Sequence, residues 1–273
     1  MTIDMHTHAF PDELAPRAME VLSGKSGVEA FTDGTLAGLS ASMLKAGIDK
    51  SIIAPIATKP AQVTGINRWA ATVNRQHDDL ICLGTLHPEQ DDWGPDIEQL
   101  VADGVPGVKL HPDYQLFYVD DPNVTAMYRA VADAGLILLF HAGVDIGLPP
   151  PVHCTPDRLA RVMDAVPDLK IIAAHMGGYK CWDDVERYLV GRNLFFDTSY
   201  TLADLGAERM TALIEAHGVE RVLFGTDSPW TGQADEVANI RALPFTPAEI
   251  DAILGGNAAR LLNNTREAPW SAA

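Results

Sequence analysis

Side chains that can bind a metal recur where short apolar runs of the sequence end. The six residues concerned, each at or just after the end of such a run, are His6, His8, His111, His141, His175 and Asp227. Imidazole nitrogens together with a carboxylate oxygen are typical ligands of zinc and similar divalent ions. The pattern therefore predicts a metal centre, provided that the folded chain brings the ends of these runs together.

The first two histidines form the most direct part of this hypothesis. Residues i and i+2 of a strand project from the same face, so His6 and His8 are expected to point to the same side. A His-x-His pair by itself is a weak signal. We expect His141 and Asp227, which follow other runs, to converge on the same point, giving three imidazoles and one carboxylate.

The elements that must position these residues are eight apolar runs separated by amphipathic segments. The runs are Thr2–His6, Ser51–Ile56, Leu80–Leu86, Val105–His111, Leu136–His141, Lys170–His175, Leu194–Thr198 and Arg221–Thr226. Most are continuously apolar, as strands buried on both faces are. Alternating strands and helices without a dinucleotide-binding fingerprint favour a closed (β/α)₈ TIM barrel, class α/β, as a single domain over residues 1–273.

We expect this barrel to be distorted, with loop insertions at the C-terminal face, where the loops after the strands build active sites. The candidate insertions are Phe10–Leu36, Phe117–Asn123 and Val144–Thr155. Helices are predicted over Ala203–His217 and Thr246–Leu262, among others. His77 and His217 fall in or after helices, and we expect both at the surface.

Composition excludes several classes of partner. Lys plus Arg number 20 and Asp plus Glu 37, so the formal net charge is −17, which disfavours binding to nucleic acid or to an anionic membrane. The three cysteines are widely spaced and match no disulfide or zinc-finger framework, so we expect reduced thiols in a cytoplasmic protein. A small-molecule substrate is expected, and a homodimer is left open.

The ordered motifs resemble those of the amidohydrolase superfamily, in particular its amidohydrolase-2 branch, which includes aminocarboxymuconate-semialdehyde decarboxylase-like enzymes. The matching segments are Ile3–His8, Leu139–Gly143, Ala174–Gly178, Gly225–Pro229 and Gly256–Leu261. The resemblance implies that His6, His8 and His141 bind the metal. It also implies that Asp227 binds or adjoins the metal and shuttles a proton, and that His175 either binds a second metal or contacts water or substrate.

The fourth run introduces a second hypothesis, because Lys109 and His111 share one face of its strand. In superfamily members with two metals a carbamylated lysine from this strand bridges the ions, so Lys109 and His175 would complete a binuclear centre. Alternatively Lys109 remains an ammonium group that binds a substrate carboxylate or pairs with an acid such as Asp4. His111 is a candidate substrate-binding residue.

The expected activity is metal-dependent hydrolysis of an amide, lactone or related ester-like bond by a metal-activated water, with zinc as the expected ion. Asp227 and His175 are the candidate catalytic residues. Non-oxidative decarboxylation of a small carboxylic acid is the alternative. The chain is short for the decarboxylases of the branch, which favours hydrolysis. A non-catalytic barrel with a structural metal is a third hypothesis.

Aromatic side chains on or near the loops after strands four, six and eight could line a substrate pocket or simply pack the loops. They are Phe117, Tyr118, Tyr179, Trp182 and Trp230. The sequence does not distinguish these two roles.

Overall fold

A computed structural model of the chain describes residues 1–266, in which nine short strands run parallel to one another. The strands are β1 (Ile3–Thr7), β2 (Lys50–Ile53), β3 (Leu80–Cys82), β4 (Gly84–Thr85), β5 (Gly107–Leu110), β6 (Ile137–Phe140), β7 (Lys170–Ala173), β8 (Phe195–Asp197) and β9 (Val222–Leu223). The last seven residues of the predicted domain, 267–273, lie outside the described part of the chain.

The strands form a closed ring, as the sequence predicts. β1, β2 and β3 pair in that order, and β4 to β9 pair in sequence order. The third predicted strand is interrupted at Leu83, whose N–H still donates to the carbonyl of Ile53 at 2.9 Å, so that the chain stays beside β2. The N–H of Met5 donates to the carbonyl of Phe224 at 2.8 Å and joins the last strand to the first. The prediction of a (β/α)₈ barrel is confirmed.

Helices occupy the connections between the strands. They are α1 (Ala15–Ser26), α2 (Leu36–Ala46), α3 (Val63–Gln76), α4 (Gly94–Ala102), α5 (Pro112–Gln115), α6 (Thr125–Asp133), α7 (Pro156–Ala165), α8 (Trp182–Tyr188), α9 (Leu202–Leu205), α10 (Ala207–His217), α11 (Gln233–Arg241), α12 (Pro247–Asp251) and α13 (Asn257–Arg266). The α1 helix lies within the first predicted insertion. The helix predicted over 203–217 is interrupted at Gly206, whose φ of 81° is compatible with glycine rather than with a regular helix.

Alternate residues of each strand pack on different sides of the sheet. In β6, Leu138 and Phe140 belong to the apolar cluster that includes the surrounding helices, and Phe140 contacts Tyr128 of α6 with the ring centroids 5.6 Å apart. Ile137 and Leu139 belong to a second cluster, which includes Leu261 of α13. This alternation directs the next residue in the Ile137–Leu139 series, His141, toward the barrel interior.

One expectation about the surface is wrong. His217 is fully buried, its ring stacks on Phe196 with centroids 3.8 Å apart, and Nε2–H donates to the carbonyl of Leu194 at 3.0 Å. The terminal residue of α10 is therefore a satisfied core histidine. Among residues 1–266, no helix combines the length and apolar character that a membrane crossing requires.

Candidate active site

The N-terminal histidines are positioned by an irregularity in β1. Asp4 lies opposite Ser51 of β2, but Thr7 lies opposite Ile53, so that β1 contains one extra residue between these pairs. Such bulges re-aim side chains and are common beside active sites. Here the bulge separates Asp4 from His6, whose ring lies at the mouth of the barrel.

His6, His8 and Asp227 form one potential metal-binding group. One ligand atom from each lies within 4.8 Å of the others. The Nε2 atom of His8 is 3.0 Å from Asp227 Oδ1, and the Nε2 atom of His6 is 3.5 Å from the same oxygen. The three side chains thus converge from the two strands at which the barrel closes.

The hydrogen bonds on the far side of each ring show that this group suits a cation. His8 Nδ1 is 3.1 Å from the carbonyl oxygen of Ala54, which can only accept, so Nδ1 carries the proton. His6 Nδ1 likewise donates to Asp197 Oδ2 at 3.0 Å. With one proton on each ring, both Nε2 atoms turn lone pairs toward a carboxylate oxygen, and that of His6 also lies 3.3 Å from Lys109 Nζ. A bound cation resolves this arrangement of three acceptors.

Asp197 is a residue of the candidate site that the sequence analysis missed. Fully buried at the end of β8, it accepts hydrogen bonds from His6, from the backbone N–H groups of His175 and Ser199, and from the Ser199 hydroxyl. Burial alone would raise its pKa, but the contacts with His6, His175 and Ser199 hold that pKa well below its usual range. Extending the search for strand-end residues from histidine to aspartate would have found it.

Charge and burial also set the protonation states of the ligand group. Burial, together with the positive charge of Lys109, lowers the pKa of His6 to about 4. Burial would raise the pKa of Asp227, but the hydrogen bond with His8 and the electrostatic interactions with the His6 and His8 rings lower it below its usual range. At neutral pH, His6 is therefore a neutral ligand and Asp227 an anionic one.

His141 and His175 form a coupled pair beside this group. His175 Nδ1 donates to the carbonyl of Ser199 at 2.9 Å, so its Nε2 accepts from His141 Nδ1 at 3.1 Å. The Nε2 atom of His141 is buried and has no hydrogen-bond partner. This orphaned nitrogen is a further candidate ligand, although by interatomic distance His141 groups with His111 and Asp145 instead of with His6, His8 and Asp227.

The backbone at two site residues lies in the left-handed region. The φ angle is 59° at His175 and 63° at Asp227. Histidine and aspartate adopt this region more readily than most residues, yet it costs of order 1–3 kcal/mol at a non-glycine position. Such conformations cluster at functional sites, and both residues that the sequence analysis proposes as catalytic adopt them, as do the cavity residue Tyr200 and also Leu116, Met176 and Lys180.

Lys109 lies at the floor of the site and is 1% exposed. Its Nζ atom is 3.3 Å from His6 Nε2, and in the described part of the chain it has no ion pair within 4 Å. Burial lowers the pKa of Lys109 to about 8, while the negative charges of Asp197 and Asp227 act in the opposite direction and raise it. Whether it is carbamylated in a binuclear centre or binds substrate stays a prediction.

The suggested pairing of Lys109 with Asp4 is not observed. Asp4 accepts hydrogen bonds from the N–H and hydroxyl of Thr226 and from Gln233 Nε2, which tie β1 to the segment after β9. Burial raises its pKa to about 7. The physical reason is the bulge in β1. Asp4 precedes the bulge, and its side chain forms hydrogen bonds within this buried network.

A cavity of about 550 Å³ opens above these residues. Of the aromatic residues proposed from the sequence, Tyr179 and Trp230 line it, whereas Phe117 and Trp182 are buried elsewhere and Tyr118 lies under Arg158. Other aromatic lining residues are Phe10, Trp69, Tyr114 and Tyr200. The site is therefore an aromatic cavity whose polar floor contains the candidate metal ligands.

Comparison with known proteins agrees with this architecture. The model of a family described as amidohydrolase matches residues 3–263, and the chain belongs to that family. No curated protein sequence matches the chain significantly.

Several solved structures share the fold. An uncharacterised TIM-barrel protein from Bordetella bronchiseptica is 20% identical, with a TM-score of 0.77 over 97% of this chain and 99% of that one. A 5-carboxyvanillate decarboxylase from Novosphingobium aromaticivorans, solved with manganese and a methoxy-hydroxy-nitrobenzoic acid, is 17% identical, with a TM-score of 0.71 over 96% and 97%. A 2,6-dihydroxybenzoate decarboxylase from Rhizobium is 16% identical, with a TM-score of 0.69 over 96% and 98%.

These alignments bear on one argument from the sequence. The chain was expected to be short relative to decarboxylases of the branch, yet it aligns with 97% and 98% of two of them. The alignments thus extend over nearly the whole of both chains.

Proposed function

We propose that this amidohydrolase-family enzyme is a metal-dependent decarboxylase that releases CO₂ from a small aromatic carboxylic acid without oxidation. The observation that carries the proposal is the cavity, whose aromatic and aliphatic walls end on a floor containing a single lysine beside the metal-binding group. The names of the two similar decarboxylases, both of which act on substituted benzoic acids, support it.

The residues that would hold the divalent ion are His6, His8 and Asp227, with His141 Nε2 as a further candidate. When bound, the ion supplies positive charge that attracts and orients a substrate carboxylate. A mixed set of nitrogen and oxygen donors suits zinc and manganese alike. Zinc remains the expectation from the sequence, and manganese is proposed as an equal candidate.

Lys109 and the cavity walls prepare the acid for reaction. The ammonium group of Lys109 is placed to pair with the carboxylate at the floor. The ring of the substrate lies between apolar walls, such as those of Trp69 and Trp230, which exclude water. Since carboxylate charge disappears as neutral CO₂ leaves, removal of the solvent that stabilises this charge favours cleavage of the carbon–carbon bond.

Cleavage leaves an electron pair on the ring carbon, which must receive a proton: R–COO⁻ + H⁺ → R–H + CO₂. Asp227 is the proposed proton carrier, and Oδ2 is the atom involved, because Oδ1 faces His6 and His8. Because its pKa is lowered, Asp227 is ionised at rest, so it must first take the proton from solvent and then pass it to the ring carbon. His175 accepts a hydrogen bond from His141, and we propose that this bond fixes the orientation of both imidazole rings.

The competing hypotheses from the sequence fit the cavity less well. Hydrolysis needs the same metal group, but no feature of the apolar walls favours water as a reactant. A structural metal site is normally closed by protein ligands, whereas here a 550 Å³ cavity reaches the candidate ligands.

The test is CO₂ release by the metal-loaded protein from a panel of substituted benzoic acids. Asp227→Asn is expected to lower turnover by about 10²–10⁴-fold, the usual contribution of a positioned proton-transfer group. Asp113→Asn, which disrupts a buried Asp–His pair with His153 outside the main cavity, is the matched control. Cleavage of amides or lactones by the wild type, with no CO₂ from any acid, would refute the proposal in favour of hydrolysis.

A further inference from the structure

Asp145 is a charged residue of the cavity that the proposed reaction does not use. It lies in the loop after β6 and lines the cavity, with its side chain 15% exposed. Its charge raises the pKa of Lys109, and the charge of Asp227 in turn raises the pKa of Asp145, so all three groups lie close together. Asp145 therefore presents an anion to any molecule bound in this cavity.

The carboxylate is held firmly from two directions. His111 Nε2 lies 3.0 Å from Asp145 Oδ2, and the N–H of Gly147 donates to Oδ1 at 2.7 Å. The His111 ring is in turn stacked on His141, with centroids 4.0 Å apart and planes 9° apart. The base of the loop is fixed as well, since the N–H of Val144 donates to the carbonyl of Tyr179 at 2.9 Å.

The hydrogen bonds of His111 argue against a second metal ion at this pair, although His111, His141 and Asp145 are close enough to surround one. The N–H of Tyr114 donates to His111 Nδ1, so Nδ1 carries a lone pair and Nε2 carries the proton. That proton points at Asp145. A metal at Nε2 would require the opposite tautomer, in which Nδ1–H would meet the Tyr114 N–H.

The cavity as a whole contains one cationic side chain for two anionic ones. Among the described lining residues, the formally charged groups other than histidine are Lys109, Asp145 and Asp227. Lys109 and a bound metal ion would together neutralise the charge of one substrate carboxylate at the floor of the cavity. A second carboxylate near Asp145 would meet like charge from that side chain, while a lysine outside the lining, Lys25, has its Nζ 5.5 Å from the centre of the Tyr114 ring.

We propose that Asp145, positioned by His111, is a specificity-determining residue that accepts a hydrogen bond from a hydroxyl or amino substituent of an aromatic monocarboxylic acid. This inference rests on the proposed function and specifies its substrate class. Asp145 selects acids that carry such a donor and disfavours dicarboxylic acids. His111 acts through Asp145, fixing the carboxylate so that its remaining lone pairs face the cavity.

Binding measurements test this independently of turnover. Calorimetric Kd values would be compared for 2-, 3- and 4-hydroxy- and aminobenzoates, the matching methoxybenzoates, and benzenedicarboxylates, all with the metal-loaded protein. The wild type is expected to prefer at least one donor-bearing acid over its methoxy analogue by about 10-fold or more, as for a hydrogen bond to a charged group. Equal affinities, or no binding of any donor-bearing acid, would overturn the proposal.

Variants then assign the preference to Asp145. Asp145→Asn is expected to reduce the preference to less than about 3-fold and to improve the relative affinity of dicarboxylates, because the charge is lost. His111→Gln, whose amide can still donate to Asp145, is expected to retain a preference above about 3-fold. Asp120→Asn, which loses ion pairs with Arg158 and Arg161 outside the lining of the cavity, should leave the preference unchanged and serves as the control. An unaltered preference in Asp145→Asn would overturn the proposal.

The two proposals fail in different ways. Loss of preference in Asp145→Asn without CO₂ release from any acid would support the role of Asp145 in binding and refute decarboxylation. CO₂ release by a variant with unchanged preference would support decarboxylation and refute the role of Asp145. Thermal unfolding of each variant shows whether a changed Kd reflects the site or the fold.

Discussion

The substitution Asp197→Asn tests whether a buried carboxylate sets the metal-binding state of His6. Three hydrogen bonds reach Asp197 Oδ1, from the N–H groups of His175 and Ser199 and from the Ser199 hydroxyl. The fourth joins His6 Nδ1 to Oδ2 at 3.0 Å. The amide oxygen of asparagine must take the Oδ1 position, because an NH₂ group there would face two N–H donors.

The amide NH₂ would consequently face His6 Nδ1. That nitrogen would have to accept, the proton of the ring would move to Nε2, and the lone pair directed at the metal-binding group would be lost. Replacing such a hydrogen-bond partner of a metal ligand typically costs 10–100-fold in metal affinity. The corresponding loss of binding free energy is about 1.4–2.7 kcal/mol.

Competition with a chromophoric chelator measures this change directly, using zinc and manganese in turn. Three of the four contacts of Asp197 survive in the variant, so we expect near-wild-type circular dichroism and a folded protein. Asp113→Asn provides a buried aspartate–histidine pair away from the candidate ligands and should bind metal normally. Wild-type metal affinity in a folded Asp197→Asn protein would refute the tautomer argument.

Three further perturbations probe other parts of the molecule. His8→Ala should lower the metal content after dialysis, measured by elemental analysis, and full occupancy would exclude His8 as a ligand. Lys109→Met should raise the KM for the acid by about 10-fold or more, as expected for loss of a charged partner, while leaving the number of bound ions unchanged; a fall from two ions to one would instead indicate a bridging role. Burial lowers the pKa of His217 to about 4, so the unfolded state binds more protons between pH 6.5 and 4 and stability falls as the pH is lowered. Between pH 7 and 4.5 this group should account for about 2 kcal/mol of lost stability, and urea unfolding of His217→Gln should show a correspondingly smaller loss over that interval.

Much of the site could be predicted because it depends on strand direction. Parallel strands end at the same face of a barrel, so residues at those ends come together whatever the intervening sequence. This arrangement places His6, His8, His141, His175 and Asp227 around one cavity. The continuous apolar runs, typical of strands buried on both faces, predicted the barrel for the same reason.

Other features depend on contacts between residues far apart in the chain. His217 was expected at the surface from its place at a helix end, but Phe196 and Leu194, more than 20 residues earlier, enclose it. Asp197 acquires its role only through His6, 191 residues away. Lys109 could not be assigned one partner from the sequence, since the bulge in β1 determines that Asp4 points elsewhere.

The sequence by itself determined the barrel, the strand ends that carry its chemistry and the candidate metal-binding residues, because these follow from local periodicity and the parallel arrangement of the strands. Only the tertiary structure decided which nitrogen of each imidazole is free, that His141 stacks on His111, and that Asp145 faces the cavity. Those properties are set by partners contributed from distant strands and loops, whose distances and orientations local sequence patterns do not specify.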